Sequence, residues 1–408
     1  MNTIKLAARN VLRNYRRSML TLFSIATGVA AILLYQGFVN YSMWGLREST
    51  IRSGVGHIQV STDDAFFLEG SFDPYSFLIP QYQSLADEIS KLPQVKSVAP
   101  KIAFSGTIST GEKSGIVMVE ALPVEDATNL LSFRRITSGR DILRSGALEI
   151  VLAEGVAQKI RAEVGDVLTL LVSSKGGGMN AADVTVVGIS SSGIGAFDNM
   201  ASYMDFALAQ ELLVIEDAPQ LIVTLDSTEL TSEAMVEMSK IRMADGQTLA
   251  IRQWEDIADY YRQVKDFYIT LMQVIKAIVL VVVIFSIINT MIMTVFERFR
   301  EIGTLRALGN TKFNIMNLFL WEGGVLGLMG GLAGALLGLG IAFILNKMGG
   351  IYIPPPPGMS KGYVAEFWLT LPMMIETTIL AVVVATISSI YPARKAVSIS
   401  VADALRHL

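Results

Sequence analysis

Mixed charge is concentrated in one short stretch, Phe296-Glu297-Arg298-Phe299-Arg300-Glu301-Ile302-Gly303-Thr304-Leu305-Arg306-Ala307-Leu308-Gly309. Read alone, it is a short amphipathic helix closed by Gly309-Asn310 as a C-terminal stop. Its plainest alternative is an interfacial loop helix solvated by lipid headgroups. Elsewhere the sequence excludes most chemistry. There is no cysteine, so a disulfide framework, a thiolate nucleophile and a Cys-ligated zinc site are ruled out. The two histidines, His57 and His407, are too few for a His-rich metal centre and read as satisfied or solvated side chains. The segment Ser173 to Ala182, SSKGGGMNAA, brings three glycines together. It lacks the GKS or GKT ending and the following helix of a phosphate-binding loop, and no GxxxxGK[ST] occurs anywhere. ATP hydrolysis is therefore not expected of these residues.

The elements that must position the mixed-charge stretch are apolar. The chain is 51% hydrophobic and 17% charged, against about 25% charged in ordinary soluble domains. Crossing the hydrocarbon core takes roughly 20 mostly apolar residues in a helix, and four segments qualify: 18–40, 267–296 with an outward extension, 313–346 and 370–392. The first follows Lys5, Arg9, Arg13, Arg16 and Arg17. It is too long for a signal-peptide core and no A-x-A-like site follows it, so an uncleaved span is expected.

Charge gives the orientation. Residues 41–266 carry 31 acidic and 18 basic side chains, a net of −13, while the remainder nets +9. Basic residues cluster before the first span, in 297–312 and in the tail 393–408, whereas the connection 347–369 holds only Lys347 and Lys361. By the positive-inside rule both termini and the loop 297–312 face the cytoplasm and the acidic domain 41–266 lies outside. Lys276, Glu322 and Glu376 all fall within about two turns of a span end, so snorkelling or interfacial placement is the expectation for each. No Asp/Glu/His chain crosses a span, which argues against a proton-driven carrier. No paired aspartates or Ser/His pair sit inside the spans, which argues against an intramembrane hydrolase.

The third span repeats Gly323, Gly327 and Gly331, and again Gly330, Gly334 and Gly338, at four-residue spacing. Small residues at that spacing let helix backbones approach closely in lipid. In 41–266, strand-like and helix-like runs alternate, which predicts an α+β extracytoplasmic domain of two lobes inserted between the first and second spans. The 3–4 periodicity after Trp254 and the absence of Gly or Pro to Phe296 predict one long helix that becomes the second span. Pro354 to Pro357 predict a stiff polyproline spacer in the external loop.

The run E-R-F-R-E-I-G-T-L-R-A-L-G resembles the signature of FtsX-like permeases, the family that includes lipoprotein-releasing LolC/LolE-type permeases and MacB-type exporters. Ala8-Arg9-Asn10-Val11-Leu12-Arg13-Asn14 with Arg16-Arg17 is similar to the family's N-terminal amphipathic helix, here 1–17. Tyr391-Pro392-Ala393-Arg394-Lys395-Ala396 and Ala402-Asp403-Ala404-Leu405-Arg406 resemble its closing pattern, and Val187-Gly188-Ile189 to Phe197-Asp198-Asn199 resembles its outer domain. The resemblance spans essentially the whole chain.

It implies the permease subunit of a type VII mechanotransmission ABC transporter in a bacterial inner membrane, with the large domain in the periplasm. Such permeases pair with a second permease copy or paralogue and bind a cytoplasmic ABC ATPase dimer that holds ATP and Mg. The stretch Glu297 to Gly309 would be the coupling helix, with Glu297, Arg298, Arg300, Glu301 and Arg306 supplying polar contacts to the ATPase and Ile302 and Leu305 packing around Gly303. No cofactor is expected in this chain itself, and no nucleic acid partner. With a separate ATPase subunit and a large outer domain, the pattern points toward lipoprotein or lipid release. Ser173, Lys175, Gly176, Gly177, Gly178, Met179 and Asn180 would be a periplasmic hook for a carrier or lipoprotein. Efflux through a partner tunnel, as in MacB, and FtsX-like regulation of a cell-wall hydrolase are the alternatives.

Overall fold

A computed structural model describes residues 15–70, 72–243, 246–355, 359 and 362–398. The N-terminal residues 1–14, Pro356, Pro357 and the tail 399–408 with His407 lie outside the described residues. The chain divides into two compact units: Met1–Trp44 with Lys265–Tyr352 and Val364–Leu408, and Gly45–Val264 with Ile353–Tyr363.

Helices dominate the first unit because its apolar runs carry proline only within the first turn of a helix, while the glycines of the third run are accommodated by close packing. Four helices are long and apolar enough to cross a membrane, at Ser18–Val55, Asp259–Glu297, Lys312–Lys347 and Leu371–Val397. At 1.5 Å per residue the 36-residue third helix measures about 54 Å, well beyond a 30 Å hydrocarbon core. Thr311 caps its start by accepting from the Asn314 N–H at 3.2 Å. Gly349 and Gly350, at φ 93° and 78°, turn the chain away after Lys347. The fourth helix has Pro372 in its first turn, where a missing N–H costs nothing. It gives way at Ser389 to a short helix, Ile390–Val397. One core draws on all four: Ile25 and Leu33 from the first, Ile287 and Met291 from the second, Phe319 and Leu326 from the third, Ala381 and Ala385 from the fourth. Polar ties thread this apolar core. Thr21 donates to Thr290 at 2.8 Å, and Thr377 donates to Gln36 at 3.3 Å.

The second unit mixes helices with a ten-stranded sheet. In chain order the strands are β1 (Ile58–Ser61), β2 (Val95–Ser109), β3 (Ser114–Leu122), β4 (Arg135–Gly139), β5 (Glu149–Ala153), β6 (Val167–Ser173), β7 (Met179–Ser191), β8 (Ala201–Asp205), β9 (Gln220–Leu225) and β10 (Ala250–Gln253). They run in the order β10-β1-β9-β2-β3-β8-β5-β7-β4, with β6 beside both β2 and β7. The 15-residue β2 is the shared member. Its first half pairs antiparallel with β9, setting Val98 opposite Val223. Its second half pairs with β3 and β6, setting Thr107 opposite both Ile116 and Leu171. The β3–β8 and β5–β7 pairs are parallel. Met359, in the connection between the third and fourth long helices, bridges to Ile194.

Two junctions go beyond the sequence reading. The first long helix runs on past the 18–40 segment to Thr50 and through a turn at Ile51–Val55. Gly54 and Gly56, at φ 96° and 69°, then aim the chain into β1, and a Cβ on Gly56 would meet Ile222. The Lys101 ammonium fastens this turn by donating to the Gly54 carbonyl at 3.0 Å, while pairing with the buried Glu120 carboxylate at 3.2 Å. The helix expected from Trp254 onward is in two pieces. Trp254–Ile257 ends at Ala258, whose ψ of 73° is not helical, and Asp259 opens the second long helix.

Candidate functional site

The mixed-charge stretch is a helix with two distinct sides. The second long helix ends at Glu297, Arg298 leaves helical geometry at φ −98° and ψ 17°, and a new helix covers Phe299–Ala307. It ends in a Schellman arrangement: the Asn310 N–H donates to the Leu305 carbonyl and the Gly309 N–H to the Arg306 carbonyl, each at 3.1 Å. Gly309 supplies the required positive φ of 90°.

Ile302 and Gly303 face inward, Ile302 within the core that contains Val295, Ile315, Phe319, Ala393 and Ala396. Arg298 is also inward, only 6% exposed. Its guanidinium donates Nη1 to Glu322 Oε1 at 2.7 Å, and Nε and Nη2 to the two Glu301 oxygens at 2.9 and 3.1 Å. Its centre lies 5.8 Å from the Phe319 ring. Arg306 is half-buried and donates to the Val397 carbonyl at 3.4 Å. The outer side presents Glu297, Arg300, Glu301, Thr304, Ala307 and Leu308, with Leu305 half-buried beside them. Leu308 is 77% exposed.

Two expectations need correction. Arg298 is not a surface contact, because its side chain is buried and its guanidinium is paired with the buried Glu322 and the half-exposed Glu301. Glu322 does not snorkel to an interface. Its side chain is 4% exposed and is ion-paired across helices, since a carboxylate this deep requires a cation and hydrogen bonds close by. Lys276 and Glu376 do keep partial exposure, 3.7 Å apart. Sequence reading missed Leu308, an exposed apolar side chain that amphipathic periodicity assigns to neither face at a helix end. It also missed the pairing of Arg298 with a residue 24 positions on, which local spacing cannot reveal.

The six ladder glycines separate onto two neighbours. A Cβ on Gly327 would lie 2.8 Å from Val382 Cα and 2.9 Å from the Ala381 carbonyl, and one on Gly331 would lie 3.0 Å from the Thr378 side chain, so this row meets the fourth helix. Gly323 completes the row against Ser389 and Ala385. Gly330 faces Ile25, Gly334 faces Ala26 and Val29, and Gly338 approaches Ala30 and Leu33, so the other row meets the first helix. The third helix is thus held between two partners at backbone distance.

The glycine-rich segment is the β6–β7 turn. β7 begins at Met179, where Ser173 pairs with Met179 and Val172 with Asn180. Ser174 closes the turn by donating its N–H to the Gly178 carbonyl at 2.7 Å, and Gly176 and Gly177 take φ of 100° and 83°. The Lys175 N–H donates to the Leu213 carbonyl, and the Asn180 amide to the Leu212 carbonyl, each at 2.9 Å. The tip is therefore stitched to the helix Phe206–Leu213, with the Met179 side chain outward.

Comparison with known proteins gives two family matches, a MacB-like periplasmic core domain over residues 18–241 and an FtsX-like permease C-terminal region over residues 274–401. The lipoprotein-releasing system transmembrane protein LolE of Haemophilus influenzae is 26% identical, over 80% of this chain and 81% of its own length. The uncharacterized ABC transporter permease YvrN of Bacillus subtilis is 26% identical over 99% of both chains. The macrolide export ATP-binding/permease protein MacB of Acinetobacter baylyi is 24% identical over 81% of this chain and 50% of its own length.

Proposed function

We propose that this chain, which belongs to the family of permeases built from a MacB-like periplasmic core domain and an FtsX-like C-terminal region, is the membrane subunit of a type VII mechanotransmission ABC transporter that releases lipoproteins or lipids from a bacterial inner membrane. The observation that carries the reading is the two-sided helix Phe299–Ala307: its inner side is fastened into the helix core, and its outer side offers Arg300, Thr304 and Leu308 to a partner. A short, exposed, amphipathic helix with a buried root suits docking in a groove of a cytoplasmic ATPase. ATP binding closes the ATPase pair, the docked helices of two permease copies approach, and the long helices carry that displacement outward to the acidic domain. Charge segregation supports both termini and residues 297–312 on the cytoplasmic side and residues 41–266 in the periplasm. The similarity to a lipoprotein-releasing permease over most of both chains supports lipidated cargo, and the exposed Met179 at the β6–β7 tip suits a periplasmic carrier.

The test is affinity purification of the full chain from native membranes after mild crosslinking, comparing wild type with Arg300→Glu/Leu308→Asp. Wild type should retain an ATPase bearing a Walker motif, with a loss of about tenfold in the variant at equal protein yield. Mass spectrometry of the eluate then identifies lipidated species. Absence of any ATPase from the wild-type sample would sink the transporter reading.

A further inference from the structure

The junction between the second and third long helices is mechanically lopsided. Arg298 sits where helical geometry lapses, between Glu297 and Phe299. The Arg298 N–H still donates to the Thr294 carbonyl at 3.1 Å and its carbonyl accepts from the Ile302 N–H at 2.9 Å, so the junction is a bend and not a break. Its side chain ties the junction to the third helix. The guanidinium bridges Glu301, on the short helix, to Glu322, more than two turns into the third helix, and is shielded from water by the same packing that covers Phe319. Toward Glu322, whose side chain is 4% exposed, little water intervenes and the attraction is strong and directional, whereas the half-exposed Glu301 arm is more screened. Separating the partners strands a charge without solvent, so the tie resists slippage far more than apolar contact alone. Ile302 sits one turn along, in a core shared with Ile315 and Phe319 of the third helix and Val295 of the second.

We infer that Arg298 is a positioning residue: with Glu301 and Glu322 it locks the short helix 299–307 onto the third long helix, so that the two move as one lever while bending is confined to residue 298. The role of that lever in transmitting ATPase motion rests on the docking reading above; the lock itself does not. Displacement of the docked helix would then be delivered first to the third helix, which its two glycine rows hold against the first and fourth.

The absence of cysteine allows paired spin labels in the full chain, reconstituted in nanodiscs of phosphatidylethanolamine and phosphatidylglycerol. One pair, Thr304→Cys with Leu328→Cys, spans the lock; the other, Thr304→Cys with Phe285→Cys, spans the hinge. Leu328 and Phe285 are both exposed, so the labels avoid the core. The lock predicts a narrow distance distribution for the first pair. Glu322→Gln should widen it at least twofold, and the exchange Arg298→Glu/Glu322→Arg should narrow it again, because the relocated guanidinium still faces two carboxylates. The hinge pair should already be broad and change little. An unchanged width in Glu322→Gln, or equal broadening of both pairs, overturns the proposal. If Glu322→Gln does not yield folded protein, recovery of yield and of the narrow distribution by the exchanged pair supports the lock, and failure to recover them counts against it. No ATPase is needed for the measurement. Failure here therefore leaves the docking reading intact, and loss of ATPase co-purification leaves the lock intact.

Discussion

At the scale of single residues, burial decides what a charge can do. Arg298 and Arg300 differ by two positions in one motif, yet the first is spent inside the protein and the second is exposed. Arg298 lies at the bend before the short helix and turns into the core, while Arg300, inside that helix, points outward. His57 shows the same principle in titration. It is buried beneath β9, where Nδ1 accepts the Leu225 N–H and Nε2 lies 3.2 Å from the Thr228 hydroxyl. Burial pushes its pKa down to about 4; Arg52 and Arg47 push the same way, and Glu48 and Glu229 oppose it without prevailing. The unfolded chain, with a histidine near 6.5, takes up a proton that the folded ring refuses. Stability should therefore fall as pH drops from about 6.5 toward 4. Thermal melts across that window should show a shallower pH slope for His57→Gln than for wild type; equal slopes would mean that other groups govern the acid limb.

At the scale of elements, the third helix illustrates how one sequence pattern acquires two meanings. Its glycines look alike in sequence, but what a side chain would meet differs. Gly327→Ala places a methyl against the backbone of Val382 and Ala381, which cannot swing aside, so a loss of about 1–3 kcal/mol is expected. Gly340 has open space around it, so Gly340→Ala should be neutral or stabilise by up to about 1 kcal/mol through helix propensity. Thermal unfolding in detergent reads both, and a destabilised Gly340→Ala would show that the ladder alone is not the interface. The β6–β7 tip argues similarly: three adjacent glycines suggest a loose loop, while hydrogen bonds from Lys175 and Asn180 to one helix C-terminus make it a fixed turn.

At the scale of the whole molecule, the proposed topology predicts chemical accessibility that the cysteine-free background makes simple to read. Lys113→Cys, at the exposed β2–β3 turn, should react with a membrane-impermeant maleimide in spheroplasts. Leu308→Cys should react only after permeabilisation. The reverse pattern would invert the chain in the membrane and remove the docking site from the ATPase side.

Hydropathy and charge by themselves determined four apolar segments, an acidic domain of mixed strand and helix signals, and the mixed-charge motif between the second and third segments. Each is a property of consecutive residues, because water and lipid sort a chain by local composition. The tertiary structure alone decided the rest. The extent of β2 is not legible locally, because Lys96, Pro100 and Lys101 interrupt its apolar pattern, and pairing with β9, β3 and β6 on its flanks fixes it. Glu322 became structural only when Arg298 arrived from another helix. Which face of the 299–307 helix is free depends on Ile315, Phe319 and Ala393, residues remote in sequence that cover the other face. Local periodicity can say that a helix has two sides; only the packing of distant segments determines which of them remains available.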